Sequence, residues 1–331
     1  MSCYYVKGLG SMGKRRVRCL MALGVKPENI WGNDARQDRC DEAKEKYGIN
    51  IVSDESELDF DKIDAVIVSL PPDKHKIGVD IAVKYHKPVF VEASVVLDEV
   101  ISIKEESNDI FVAPSCTFVF HPMVKEIKKI VESGKLGKMC NFSYHSGQYL
   151  PDWHPWESVN DFYVGNRLTG GAREIVPYEL TWLTDVFGFP KDIKGYFRKT
   201  GDIGCDIEDS YASTIDYGDS IGTLIVDVMS RYPARNLIIN FQNGQIQWKW
   251  DEERLTVYNA TDGTTTYIKQ EKQPHEEGYA DMIGEQMYID EIAAFLAGTK
   301  DAKAYPNTID KDIQVLKLLN SIEDSDGGFE R

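Results

Sequence analysis

The 331 residues contain no Cys-x-x-Cys pair and no histidine cluster at zinc-ligand spacing, although six cysteines are present, at Cys3, Cys19, Cys40, Cys116, Cys140 and Cys205. This pattern argues against a structural zinc site and for reduced thiols in a cytoplasmic protein. The N-terminus lacks a basic region followed by a long apolar run, which speaks against a secretory signal. No apolar stretch approaches the ~20 residues of a membrane span. Positive charge is in short supply: 38 Lys and Arg stand against 54 Asp and Glu, a net charge of -16. Such a surface repels nucleic-acid phosphates and anionic lipid, so neither is expected as a partner. Internal repeats and low-complexity tracts are also missing. What remains is an ordinary globular composition, 42% hydrophobic and 28% charged, on a chain long enough to bury two cores.

The first third alternates short apolar strands with amphipathic helices. Cys3–Val6, Asn29–Asn33, Asp64–Leu70, Pro88–Glu92 and Ile110–Pro114 read as strands, and segments near Ile77–Tyr85 and Asp98–Glu106 as helices. Asp64-Ala-Val-Ile-Val-Ser-Leu70 is nearly continuously apolar, as a strand buried on both faces of a parallel sheet must be. The rhythm predicts an α/β chain opening with a doubly wound parallel sheet. A helix over Met123–Ser133 follows. From about Ile193 to Lys269 the pattern becomes an antiparallel meander, with turn signals at Gly218-Asp219, Asn243-Gly244 and Asp262-Gly263. A last helical segment puts Tyr288, Ile292, Phe295 and Leu296 on one face. The expected division is a dinucleotide-binding domain over residues 1–120 and a substrate-binding and oligomerisation domain over 121–331.

Gly8-Leu-Gly10-Ser11-Met12-Gly13 is a complete G-x-G-x-x-G between a strand and a helix. The glycines allow a tight turn and close approach of a pyrophosphate, and the helix N-terminus offers amide N–H groups to it. Asp34 ends the second strand, where a carboxylate accepts hydrogen bonds from the adenosine ribose and repels a 2′-phosphate. NAD is therefore the expected cofactor. Arg36 close by keeps NADP as the alternative, and Lys7 stands where an apolar residue is usual.

These residues, with Ser69-Leu70-Pro71-Pro-Asp-Lys-His75, Val89-Phe-Val-Glu92, His121-Pro122, Gly134-Lys-Leu-Gly-Lys138, Gly170-Gly-Ala172 and Tyr288-Ile-Asp-Glu-Ile-Ala-Ala-Phe295, make the chain similar to the Gfo/Idh/MocA family over essentially its whole length. The resemblance implies a Rossmann domain followed by an α/β domain on an open, largely antiparallel sheet whose outer face packs on another subunit. It implies hydride transfer between NAD or NADP and a carbinol or carbonyl carbon of a sugar or cyclitol. It also carries Ser69, Leu70, Pro71, His75 and Glu92 over as residues near the cofactor, with Glu92 at the nicotinamide ribose. Two departures stand out. The family's Glu-Lys-Pro reads Glu92-Ala93-Ser94, and its Asp-x-x-x-His reads Glu174-Ile-Val-Pro-Tyr178.

With no lysine at position 93, the candidates for moving the hydroxyl proton are Glu174, Tyr178, His154, His145 and Lys7. Glu174 and Tyr178 are four apart, hence on one helix face. A capped helix start with an interior aromatic is the plainer reading of that pair. Tyr144-His145-Ser-Gly-Gln-Tyr-Leu-Pro-Asp-Trp153-His154-Pro-Trp156 reads as a loop whose aromatic faces and polar edges suit a sugar ring, or else cover a core. Arg173 and Glu179 are further candidates for binding substrate hydroxyls. Set against the oxidoreductase is a cofactor-binding sensor or regulator that no longer catalyses, which the missing lysine favours.

Overall fold

The computed structural model describes residues 2–153, 158–271 and 284–328. In chain order the elements are β1 (Cys3–Lys7), α1 (Ser11–Ala22), β2 (Ile30–Asn33), α2 (Gln37–Tyr47), β3 (Asn50–Ile51), β4 (Ile63–Val68), α3 (His75–Lys84), β5 (Val89–Val91), α4 (Leu97–Glu106) and β6 (Val112–Pro114). Then come α5 (Pro122–Ser133), β7 (Met139–Tyr149), α6 (Gly171–Phe187), β8 (Asp192–Arg198), β9 (Ser210–Asp216), β10 (Ile221–Asp227), β11 (Met229–Phe241), β12 (Gly244–Lys249), β13 (Arg254–Asn259) and β14 (Thr264–Lys269). The chain closes with α7 (Gln286–Gly298) and α8 (Ile309–Ser325). The elements α2, β3 and α8 come in addition to those the sequence suggested. Among the described residues no helix is long and apolar enough to cross a membrane.

The chain divides into two units, Met1–Thr117 with Gln273–Ile313, and Phe118–Lys272 with Gln314–Arg331. The split falls at 117/118, and a stretch near the C-terminus returns to the first unit.

The first unit holds a six-stranded parallel sheet in the order β3-β2-β1-β4-β5-β6. Ala65, Val66, Ile67 and Val68 of β4 are fully buried, because helices cover both faces of the sheet. Val79 and Ala82 of α3 and Ile103 of α4 pack with Val66, Val68 and Val89. The strand order reverses between β1 and β4, and a crevice opens at the carboxyl ends of such strands. Backbone bonds from Gly8 N to Asn33 O, Ser69 N to Lys7 O, Glu92 N to Val68 O and Ser115 N to Val91 O carry the pairing one residue beyond these ends. Helix α7 seals α1 from outside. Glu285, at its start, accepts from Arg15 Nε at 2.9 Å and Arg18 Nη2 at 3.0 Å, and Tyr288 lies under the Arg15 guanidinium.

The second unit holds an eight-stranded sheet, β14-β13-β12-β11-β7-β10-β9-β8, antiparallel except where β7 meets β10. Here the sequence expectation needs correcting. Tyr144–Tyr149 is no loop but half of the central strand, with Phe142, Tyr144 and Ser146 inward and Ser143 and His145 outward. The apolar residues between Leu224 and Phe241 also divide by strand alternation. Leu224, Val226, Leu237, Ile239 and Phe241 are buried, while Ile225 and Ile238 stay exposed on the outer face. The inner face is covered by α6 through Leu180, Trp182 and Leu183.

Candidate functional site

In the first unit the glycine motif builds an open cradle. A Cβ on Gly8, whose φ is +94°, would stand 2.4 Å from Ser69 O, and one on Gly13 would stand 1.9 Å from Gly8 O. The loop thus folds tightly on itself and on the end of β4. Above Gly10 a Cβ would meet only the Arg39 guanidinium, at 3.5 Å. No side chain caps the N-terminus of α1 and no acidic residue lies in its first turn, Ser11-Met12-Gly13 included, so the helix end favours an anion.

Asp34 faces this loop. Its Oδ2 accepts from Leu9 N at 2.7 Å and its Oδ1 from Arg36 N at 2.9 Å, with Arg39 Nη1 3.6 Å from Oδ2. A carboxylate has about four acceptor positions, so capacity remains for a further donor. The Arg36 side chain forks onto Asp38. It is Arg39, which nothing in the sequence singled out, that sits against both Gly10 and Asp34. Lys7 donates to Asn33 Oδ1 at 2.7 Å and pairs with Glu55 at 3.7 Å, which ties it to the sheet edge.

Beyond β4, Ser69 abuts the glycine loop, Leu70 packs on it, and the Pro71 carbonyl accepts from Lys74 N ahead of α3. His75 is fully buried, with Nε2 2.9 Å from Leu70 O and Nδ1 without a partner. Burial pushes the imidazole down to about 4, so it is neutral and donates from Nε2 to hold the Ser69–Pro71 turn. Glu92 follows β5 and is gripped by Arg16, the next residue being Ala93.

In the second unit α6 carries the remaining candidates. It starts at a glycine pair that close approach requires. A Cβ on Gly170 would stand 2.0 Å from Val164 O, and Gly171, at φ +65°, lies under Ile207 and the Glu208 carbonyl. Glu174, Tyr178, Thr181 and Asp185 form the half-buried stripe of a helix otherwise largely enclosed. Glu174 Oε1 accepts from Tyr163 OH at 2.7 Å, while Oε2 is enclosed with no partner among the described residues. Burial pushes this carboxyl up to about 7 against the lowering effect of the Tyr163 bond. The Tyr178 ring packs against Phe118.

Three expected substrate contacts have internal partners instead. Arg173 donates to Glu323 at 2.7 Å and to Leu168 O at 2.6 Å. Glu179 is fully buried, accepting from Tyr144 OH, Ser146 Oγ and Trp182 Nε1 at 2.7–2.8 Å and pairing with Arg235 at 2.9 Å. Tyr144 is thereby taken up as well. His145 lies on the opposite sheet face, bonded to Asp227 at 2.6 Å, so the structure does not bring it together with Glu174 and Tyr178. Trp153 has a buried Nε1 without a partner among the described residues, and His154 lies outside them. Tyr163 escaped sequence reasoning, since nothing local ties it to a carboxyl eleven residues on.

Residues 124–247 match the profile of the GFO/IDH/MocA C-terminal domain, and residues 6–90 that of the NADP oxidoreductase, coenzyme F420-dependent, family. No curated protein matches the sequence. Among solved structures the chain is similar to an oxidoreductase from Agrobacterium radiobacter, in complex with NAD+, L-tartaric acid and magnesium, with a TM-score of 0.84 at 13% identity over 98% of this chain and 96% of that one. It is similar to levoglucosan dehydrogenase, in complex with NADH and levoglucosan, with a TM-score of 0.80 at 16% identity over 98% and 97%. GenD2 from gentamicin A biosynthesis, in complex with NAD, gives a TM-score of 0.77 at 14% identity over 98% and 94%. At such identities the structural likeness is one of fold. Residues 124–247 thus carry the GFO/IDH/MocA C-terminal domain profile, after a first unit with a Rossmann-type parallel sheet, in a fold shared with these oxidoreductases.

Proposed function

We propose that the chain is an NAD-dependent oxidoreductase acting on a carbinol or carbonyl carbon of a sugar or sugar derivative. The observation that carries the reading is the cradle at Gly10, open above an uncapped helix end and flanked by the Asp34 carboxylate. These residues fit a dinucleotide: α1 would take the pyrophosphate, and Asp34 the adenosine ribose. With Arg36 turned onto Asp38, a 2′-phosphate would meet a carboxylate first. NADH is therefore expected to bind more tightly than NADPH, and Asp34→Ala to narrow the gap. Fluorescence titration with both cofactors measures this, and absence of binding to either would refute the proposal.

The bound nicotinamide would supply the hydride chemistry, and the proton is left to the chain. Glu174 is the group best suited to it. Tyr163 donates to Oε1, so the proton of the neutral acid sits on Oε2, the oxygen with no partner. A group near neutrality gives and takes a proton with little penalty. Tyr178, on the same stripe, is its companion. Glu174→Gln and Tyr178→Phe are each expected to lower turnover by roughly 10²–10⁴-fold once a co-purifying or screened sugar identifies the substrate. The alternative of a sensor without activity draws on Ala93. It predicts NADH binding with no turnover on any sugar and no effect of either substitution on binding. The outer face of the second sheet supports a homo-oligomer: Ile221, Ile225 and Ile238 are exposed beside an amide ladder, Asn141–Asn240–Gln245–Gln247.

A further inference from the structure

We propose that Arg16 is a positioning residue, fixing the carboxylate of Glu92 to receive the second nucleoside half of the dinucleotide, on the side of the glycine loop away from Asp34. The inference rests on the dinucleotide reading above and adds to it a residue three positions past the motif.

The first argument is topological. Asp34 follows β2, Gly8 β1, Ser69 β4 and Glu92 β5, and these strands are neighbours in that order. At about 4.8 Å between strands, Glu92 lies two strands, roughly 10 Å, beyond the glycine loop, opposite to Asp34. A ligand whose phosphates sit on α1 and whose adenosine reaches Asp34 extends its other half toward Glu92.

The second argument is the way Arg16 is held. Its side chain is fully buried, where α1 otherwise turns Val17 and Leu20 inward. Burying an unpaired guanidinium is strongly unfavourable. Here Nε and Nη2 fork onto the two oxygens of Glu92 at 2.6 and 2.8 Å, and Nη1 reaches Glu291 at 2.8 Å, with the Phe90 ring 4.5 Å away. Burial on its own would lower the guanidinium, but the two carboxylates hold it well above its ordinary range, so it stays charged.

The third argument is the inequality of the two acids. Glu291 is completely buried and its acceptor positions are filled: Ser115 Oγ, Cys116 N and Tyr305 OH donate to Oε1, Thr117 Oγ1 and Arg16 to Oε2. It is an anchor. Glu92 keeps 11% exposure and, among the described residues, has besides Arg16 only the Ser69 hydroxyl at 3.3 Å. Of the three charged groups it alone reaches solvent, with lone pairs to spare and an orientation set by the planar fork. Position 93 supplies no cation, so the positive charge nearest this strand end comes from beneath it.

The test compares two probes on the full-length protein. ADP covers the glycine loop and Asp34, and NADH covers the whole groove. Arg16→Met is expected to weaken NADH about tenfold or more while leaving ADP within twofold, and Arg16→Lys to recover part of the loss. Glu92→Gln, whose amide oxygen still accepts one of the two bonds from the buried arginine, should reproduce the split if Arg16→Met does not fold. The emission of bound NADH should shift in both variants, because the surroundings of the nicotinamide change. Equal weakening of ADP and NADH, or unchanged NADH binding in Glu92→Gln, would overturn the proposal. A wild-type protein that binds neither probe would instead bring down the dinucleotide reading itself, and this proposal with it.

Discussion

Glu174 holds a proton that the unfolded chain releases. Its carboxyl stands near 7 when folded, against an ordinary value of about 4.5. Between those values the native state binds more protons than the unfolded state, so raising the pH across that interval costs stability, and above about pH 7 the loss is constant. Glu174→Gln cannot ionise and escapes the cost. It should match the wild type at about pH 3.5, below the unfolded value, and exceed it by about 1–3 kcal/mol at pH 8, a range discounted for partial exposure. Urea midpoints at the two pH values measure this, and a difference that does not change with pH would count against it. Asp312 is likewise pushed up to about 7 by burial, despite its bond with Asn307, but it cancels in the wild-type-to-variant difference.

At the scale of elements, α6 begins on a glycine that nothing else replaces. Gly171→Ala combines a positive φ with contacts to Ile207 and the Glu208 carbonyl, and should cost roughly 2–3 kcal/mol. Gly24→Ala, with φ +86° and nothing within 4 Å, should cost about 1 kcal/mol. The two denaturation midpoints separate conformational strain from steric conflict. Legibility followed the same divide between local and distant causes. Strands β1, β4 and β5 were readable because a strand buried on both faces is one apolar run. The glycine motif and Asp34 were readable because their geometry is local. Strand β7 was not, since Ser146, though inward, is polar to serve Glu179 and breaks the alternation that Phe142 and Tyr144 set up against Ser143 and His145. Arg16 was hidden too: among Lys14, Arg15 and Arg18 it looks like one more surface cation, and its partners lie 76 and 275 residues away.

The whole molecule presents a surface of net charge -16 that discourages random contact, yet leaves three isoleucines bare on one sheet face. If a second copy covers them, light scattering at micromolar concentration gives a multiple of the monomer mass, and Ile225→Glu with Ile238→Lys reduces it to one chain. A wild-type monomer would rule this out.

The return of residues 284–313 to the first unit has a consequence for the order of synthesis. Arg15, Arg16 and Arg18 leave the ribosome with the first helix, while Glu285 and Glu291 follow some 270 residues later. At about 5–20 residues per second that is a wait of roughly 15–55 s. For that interval the glycine-loop helix has neither its outer cover nor the anchor of its buried arginine. Ribosome-arrested chains ending before residue 273 should therefore be cut readily by protease in their first 117 residues, and full-length chains should resist. The nucleotide cradle is begun first and finished nearly last.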